Sequence, residues 1–135
     1  RHDMVVWHNV DHQMEEKPMF ILESENKQDP EEIEEEIKKL VKSDAYLRVG
    51  VFYAWPEHDS KAIVTKAKRH ILNQRPAGEE CAFLLILGYT RPSKRPKNLL
   101  PQAYGYEAYA IDSHAQHVLL GTKQIHPEKI STRSV

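Results

Sequence analysis

Glu23, Glu25 and Lys27 occupy alternate positions directly after an apolar run, Met19-Phe20-Ile21-Leu22. Side chains alternate across a strand, so the three charges share one side if the strand continues through them. Ionised carboxylates are not buried without partners. These must project from a strand end into a wet cleft, pair with bases, or bind a cation. Two acids at i and i+2 also repel each other. A divalent ion turns that repulsion into attraction, because Mg²⁺ favours carboxylate oxygens and keeps several of its waters. Such an ion can activate water and stabilise charge on a phosphate. A lysine beside it can orient the water or neutralise phosphoryl oxygens.

The elements around these residues supply a third acid. Met4 to Trp7 is a short apolar, β-rich run, Asn9 to Lys17 is polar, and Pro18 to Leu22 is apolar again. The pattern is two strands and a loop, most simply a hairpin. In a hairpin the start of one strand lies beside the end of the other. Asp3 is therefore expected near Glu23 and Glu25, whereas Asp11 falls at the far end of the hairpin.

Downstream, Asp29-Pro30-Glu31-Glu32 reads as a helix start, with Asp29 as cap and Pro30 at the first helical position. Ile33, Ile37, Leu40 and Val41 give the amphipathic stripe. Glu34 with Lys38 and Glu35 with Lys39 are expected to pair on the wet side, and the acidic run Glu31 to Glu36 reads as a solvated face. Tyr46 to Trp55 is β-branched and aromatic, a strand stopped by Pro56. A second helix is expected over about residues 60–74, with Ile63, Ala67 and Ile71 inward and Leu72 a further candidate. Cys81 to Leu87 is a nearly continuous apolar run, as in a strand covered on both faces. Tyr106 to Asp112 and Gln116 to Leu120 read as a closing hairpin. The expected order is hairpin, helix, strand, helix, strand, hairpin: an α/β domain with a mixed sheet and helices packed on its faces. The domain is expected over residues 1–121, with a frayed tail from 122 to 135. The chain opens at Arg1 and runs at once into a strand, so native residues are expected upstream.

Composition narrows the classes. The chain has 135 residues, 40% hydrophobic and 29% charged, with a formal net charge of −1. That is enough for one domain with a core. No apolar run approaches the ~20 residues of a membrane span. A single cysteine, Cys81, forms no internal disulfide and reads as core; a reducing cytoplasm is the expected setting. The eight histidines show no zinc-ligand pattern. Charge is uneven, however. Residues 1–45 hold thirteen acids against six bases, and residues 61–97 hold nine bases against two acids. That asymmetry points to an anionic ligand at one face. Four bases, Arg91, Lys94, Arg95 and Lys97, fall within seven residues stiffened by Pro92 and Pro96. They are candidates to grip phosphates. Lys66, Lys68, Arg69 and His70 could line the same groove or simply face water.

An Asp before one strand, followed after a spacer by apolar residues running into (Asp/Glu)-x-Lys, resembles the PD-(D/E)xK nuclease superfamily, which includes restriction endonucleases and junction resolvases. The resemblance covers roughly residues 1–90. It implies a restriction-endonuclease-like fold, a mixed sheet between helices in three α/β/α layers. It also implies Mg²⁺- or Mn²⁺-dependent hydrolysis of nucleic-acid phosphodiesters, DNA before RNA, with a homodimer among the expected assemblies. Carried over, Asp3 and Glu23 hold the metal, and Glu25 takes the usual lysine place, as in some members. A second register reads Glu25-Asn26-Lys27 as the literal Glu-x-Lys. Two departures stand: His2 replaces the proline of the first motif, and the helix that precedes the family's hairpin is not in this chain. The alternative is a catalytically silent domain of the same fold that binds DNA or a partner protein.

Overall fold

The computed structural model describes residues 3–10, 13–14, 16–26, 29–54, 60–74, 82–91 and 103–125. In chain order the strands and helices are β1 (Met4–Val6), β2 (Asn9–Val10), β3 (Gln13–Met14), β4 (Phe20–Glu25), α1 (Pro30–Lys42), β5 (Leu47–Ala54), α2 (Ser60–Gln74), β6 (Ala82–Arg91), β7 (Ala103–Ile111) and β8 (His117–Ile125). Six strands form one mixed sheet in the order β1-β4-β5-β6-β7-β8. β4, β5 and β6 are parallel; β1, and then β7 and β8, add antiparallel at the two sides. The segment between β1 and β4 is more than a loop, since β2 and β3 form a small antiparallel ladder of their own.

α1 begins where the cap residues require. The Asp29 carboxylate accepts the Glu31 N–H at 2.9 Å, and Pro30 takes the first helical position. At the other end, the Ser43 N–H and hydroxyl both return to the Leu40 carbonyl, so the last turn is closed without glycine. Ile33, Ile37, Leu40 and Val41 are buried, as their spacing predicts.

Both helices lie on the same face of the sheet. Two parallel crossovers that advance in one direction, each right-handed, put their helices on one side. Contacts agree: Glu34 of α1 bonds Arg69 and His70 of α2. The core joins the two helices to Ile21, Phe52, Phe83, Leu85, Leu87, Tyr109 and Ile111, which all point to that face. Val49 is buried on the opposite face, outside this cluster. The described residues thus make two layers, helices on sheet; a third would have to cover the side of Leu22, Val49 and Ile86.

Arg48 is the least expected member of the core, at 1% exposure. Its guanidinium donates to the Ser43 and Ala45 carbonyls and lies 5.2 Å from the Phe83 ring centroid. A buried charge is tolerated because it satisfies two carbonyls of the turn that follows α1 and has the Asp44 carboxylate 3.9 Å away.

Two strand ends and one turn conformation differ from the sequence expectation. β6 continues through Thr90 and Arg91, paired to Tyr104 and Ala103. Arg91 is therefore at a strand end rather than in a loop; the antiparallel ladder carries the strand beyond its apolar run. β8 continues to Ile125, so residues 122–125 belong to the sheet and not to a tail. Last, the β7–β8 turn has Ala115 at φ 58°, a conformation usually given to glycine. The Asp112 carboxylate holds it by accepting the His114 and Gln116 N–H groups, each at 2.9 Å.

Candidate functional site

Glu23 lies at the carboxyl-terminal half of β4, on the helix-covered face. Its register partner on β5 is Gly50. A Cβ at Gly50 would fall 2.6 Å from the Phe52 ring and 3.1 Å from Leu40 and Leu85, so only glycine fits beside Glu23 with the core closed. Glu23 is fully buried at 0% exposure.

Its cation comes from α1. Lys39 Nζ lies 2.9 Å from Glu23 Oε2 and 3.3 Å from Glu36 Oε2. Positions 32, 36, 39 and 43 form the stripe next to the buried stripe 33, 37, 40, so Glu36 and Lys39 lean over β4 while Ile37 and Leu40 fill the core. The Lys39 ammonium is held above its ordinary pKa, first by the bond to Glu23. Glu36 is also raised: burial is the first cause, and a hydrogen bond with Glu23 is the second, with Lys39 opposing both. Two carboxyl groups and one ammonium therefore share a partly dry site, and Glu36 keeps its proton to a higher pH than an ordinary carboxyl. Such a group can hold or pass a proton at a strand end.

Asp3 reaches this end of the sheet, as the hairpin geometry requires. β1 pairs with β4 through Met4 and Leu22, so Asp3 stands one step on, level with Glu23. Its Oδ2 accepts the Ser24 N–H at 2.7 Å and the Ser24 hydroxyl at 2.9 Å. Glu25 is half-buried at the end of the same strand. It joins Asp29, Glu31, Glu32 and Glu36 along an open groove of about 610 Å³, in which Lys38 is the basic side chain. The carboxylates along this groove are hard oxygen donors, the chemistry that Mg²⁺ and Mn²⁺ take, while Asp3 and Glu23 lie outside its lining. Among the described residues, no three His, Cys, Asp or Glu side chains gather as a metal cluster. Any ion would therefore rest on two carboxylates and its own waters.

Lys27, Lys94, Arg95 and Lys97 lie outside the described residues, as does the Arg91 side chain. No family model, curated protein or solved structure matches the chain. Its chemistry must be argued from its own residues.

Sequence reasoning missed Lys39 and Glu36 as members of this centre, because it assigned them to a solvated face. Their position one step off the apolar stripe was the available signal. The expected pairs within α1 also rearrange. Lys38 bonds Glu35 at 2.8 Å, and Glu34 turns to α2, where Arg69 and His70 each bond Oε1 at 2.9 Å and Lys66 lies 3.6 Å from Oε2. Lys68 meets His117 of β8 at 3.1 Å. The bases of α2 thus pair with partners inside the domain. Among the described residues, no helix is long and apolar enough to cross a membrane.

Proposed function

We propose that the chain is a metal-dependent nuclease-like domain that hydrolyses nucleic-acid phosphodiester bonds, built on a restriction-endonuclease-like α/β scaffold and working in the cytoplasm. The observation that carries this reading is that Asp3 stands one residue before β1, level with Glu23 of β4, with its carboxylate on Ser24 and an ammonium on Glu23. Asp3 and Glu23 would hold Mg²⁺ or Mn²⁺, which when bound supplies an activated water and charge stabilisation at a phosphate. Lys39 takes the place by Glu23 for which the sequence offered Glu25 or Lys27. From there its ammonium can orient water or neutralise a phosphoryl oxygen, while Glu36 keeps a proton within reach. Glu25 faces the mouth of the groove. Arg91, Lys94, Arg95 and Lys97 are the candidates for phosphate contacts, with DNA as the substrate.

A second reading has its own support. Lys39 already neutralises Glu23, and the groove beside it is lined mostly by acids, which repel a polyanion. Both features favour a catalytically silent domain that binds DNA through another face or binds a partner protein. Calorimetric titration with Mn²⁺ separates the two. The nuclease reading expects binding by the wild type that is lost in both Asp3→Asn and Glu23→Gln; no binding by the wild type favours the silent domain.

A further inference from the structure

The β8 side of the sheet has an apolar edge that nothing in the nuclease reading uses. Val118, Leu119 and Leu120 are 61%, 49% and 60% exposed and consecutive in sequence. Among the described residues, β8 pairs with β7 on one side only, and no described strand pairs with its other side. Its side chains alternate: Leu119 falls on the helix-covered face, across from Tyr109, and Val118 on the opposite face, across from Ala110. Leu120 is the extra residue of a β-bulge, between Leu119 across from Tyr109 and Gly121 across from Ala108. Leu72 extends the patch onto α2. It is 64% exposed and lies one turn after Lys68, the residue that reaches His117 of β8.

Natural edge strands are kept from pairing by being short, by charges, by proline or by bulges. β8 runs for nine residues without proline, and between His117 and Lys123 it carries no charge. The bulge at Leu120 bends the edge without making it polar. At the opposite edge, β1 has three residues.

We infer that β8 is the contact between two copies of this chain, paired edge to edge and antiparallel about a two-fold axis at Leu119. The register itself argues for a second copy rather than an unrelated strand. An axis at Leu119 sets Leu119 across from Leu119 of the other copy, and Val118 across from Leu120 twice. All three exposed apolar residues then gain apolar neighbours, the self-complementarity that an isologous interface requires. The same register brings Lys123 of one copy against the Asp112–Gln116 turn of the other, a cation facing the exposed Asp112 carboxylate. The result is one continuous sheet through both copies, with the two Glu23 centres at a distance from the contact. This inference does not rest on the nuclease reading.

Light scattering across a concentration series, with Leu119→Cys cross-linking, tests it. Directly opposed residues of an antiparallel pair sit about 4.5–5.5 Å apart at Cα, within the range that a disulfide bridges. The expected result is a wild type of twice the chain mass. Leu119→Cys should form a covalent dimer on oxidation where the wild type, with Cys81 alone, does not. Val118→Lys and Leu120→Lys should run as monomers with unchanged circular dichroism. A wild type that stays monomeric throughout overturns the proposal. So does a dimer that gives no cross-link at residue 119. The cross-link decides even if a lysine variant fails to fold.

Discussion

Lys39 Nζ lies 2.9 Å from Glu23 Oε2, and Glu23 is fully buried while Lys39 is about one-third exposed. The two ends of this ion pair therefore differ in what their removal leaves behind. Lys39→Met leaves a carboxylate buried without its cation. Breaking a fully buried pair in this way destabilises by about 3–5 kcal/mol. With Lys39 open to water, the expected loss is about 1–3 kcal/mol. Adding Glu23→Gln to Lys39→Met should restore part of it, since no charge is then stranded. Urea unfolding of the two single variants and the double variant measures the coupling. Strict additivity would show that the pair contributes nothing.

Arg48→Met should be among the most damaging single changes. The methionine fills the space but removes the donor to the Ser43 and Ala45 carbonyls. Losing the bond to the fully buried Ala45 carbonyl costs about 1–3 kcal/mol, so the expected loss is at least about 1 kcal/mol, read as a lower urea midpoint with an unchanged slope. A midpoint within error of the wild type would contradict the role given to Arg48.

Gly50→Ala tests the close approach beside Glu23. The added methyl would meet the Phe52 ring at 2.6 Å, and overpacking of this kind costs about 1–3 kcal/mol. Thermal unfolding should show a lower midpoint; an unchanged one would mean that the ring gives way freely.

Glu34 ties α1 to α2 and gives the domain a defined pH response. Its carboxyl is held below the ordinary value of 4.5, first by the hydrogen bond with His70 and then by Lys66 and Arg69, with burial opposing them. A carboxyl with a depressed folded-state pKa contributes stability that is present above its unfolded value and lost as pH falls through the folded one. The difference in melting temperature between the wild type and Glu34→Gln should therefore be constant well above pH 4.5 and shrink as the pH drops below it. A difference that grows on acidification would reverse the assignment.

Much of the scaffold was legible because the relevant residues signal locally. Asp29, Pro30 and the Ile33-Ile37-Leu40-Val41 stripe define α1 without reference to the rest of the chain. The hairpin argument places Asp3 beside Glu23 from strand direction alone. The illegible parts depend on what packs against what. Glu34 and Lys39 have good partners four residues away within α1, yet α2 and β4 offer better-placed charges once the helix docks. Gly88 to Arg91 carries no apolar pattern, and becomes strand because the β7 ladder continues beside it. The turn between β7 and β8 is expected from its flanking strands, but no glycine announces the left-handed backbone at Ala115. Arg48 reads as a strand charge until the turn that follows α1 is known to lie against it.

The central claim is hydrolysis of phosphodiesters at the Asp3–Glu23 centre, and end-labelled DNA and RNA incubated with purified protein test it most directly. The wild type should cut with Mg²⁺ or Mn²⁺ and stop when EDTA is added. Glu23→Gln should remove cleavage while leaving the fold intact by circular dichroism. A wild type that cuts no DNA or RNA with either metal, or a Glu23→Gln variant that cuts as well as the wild type, would contradict it.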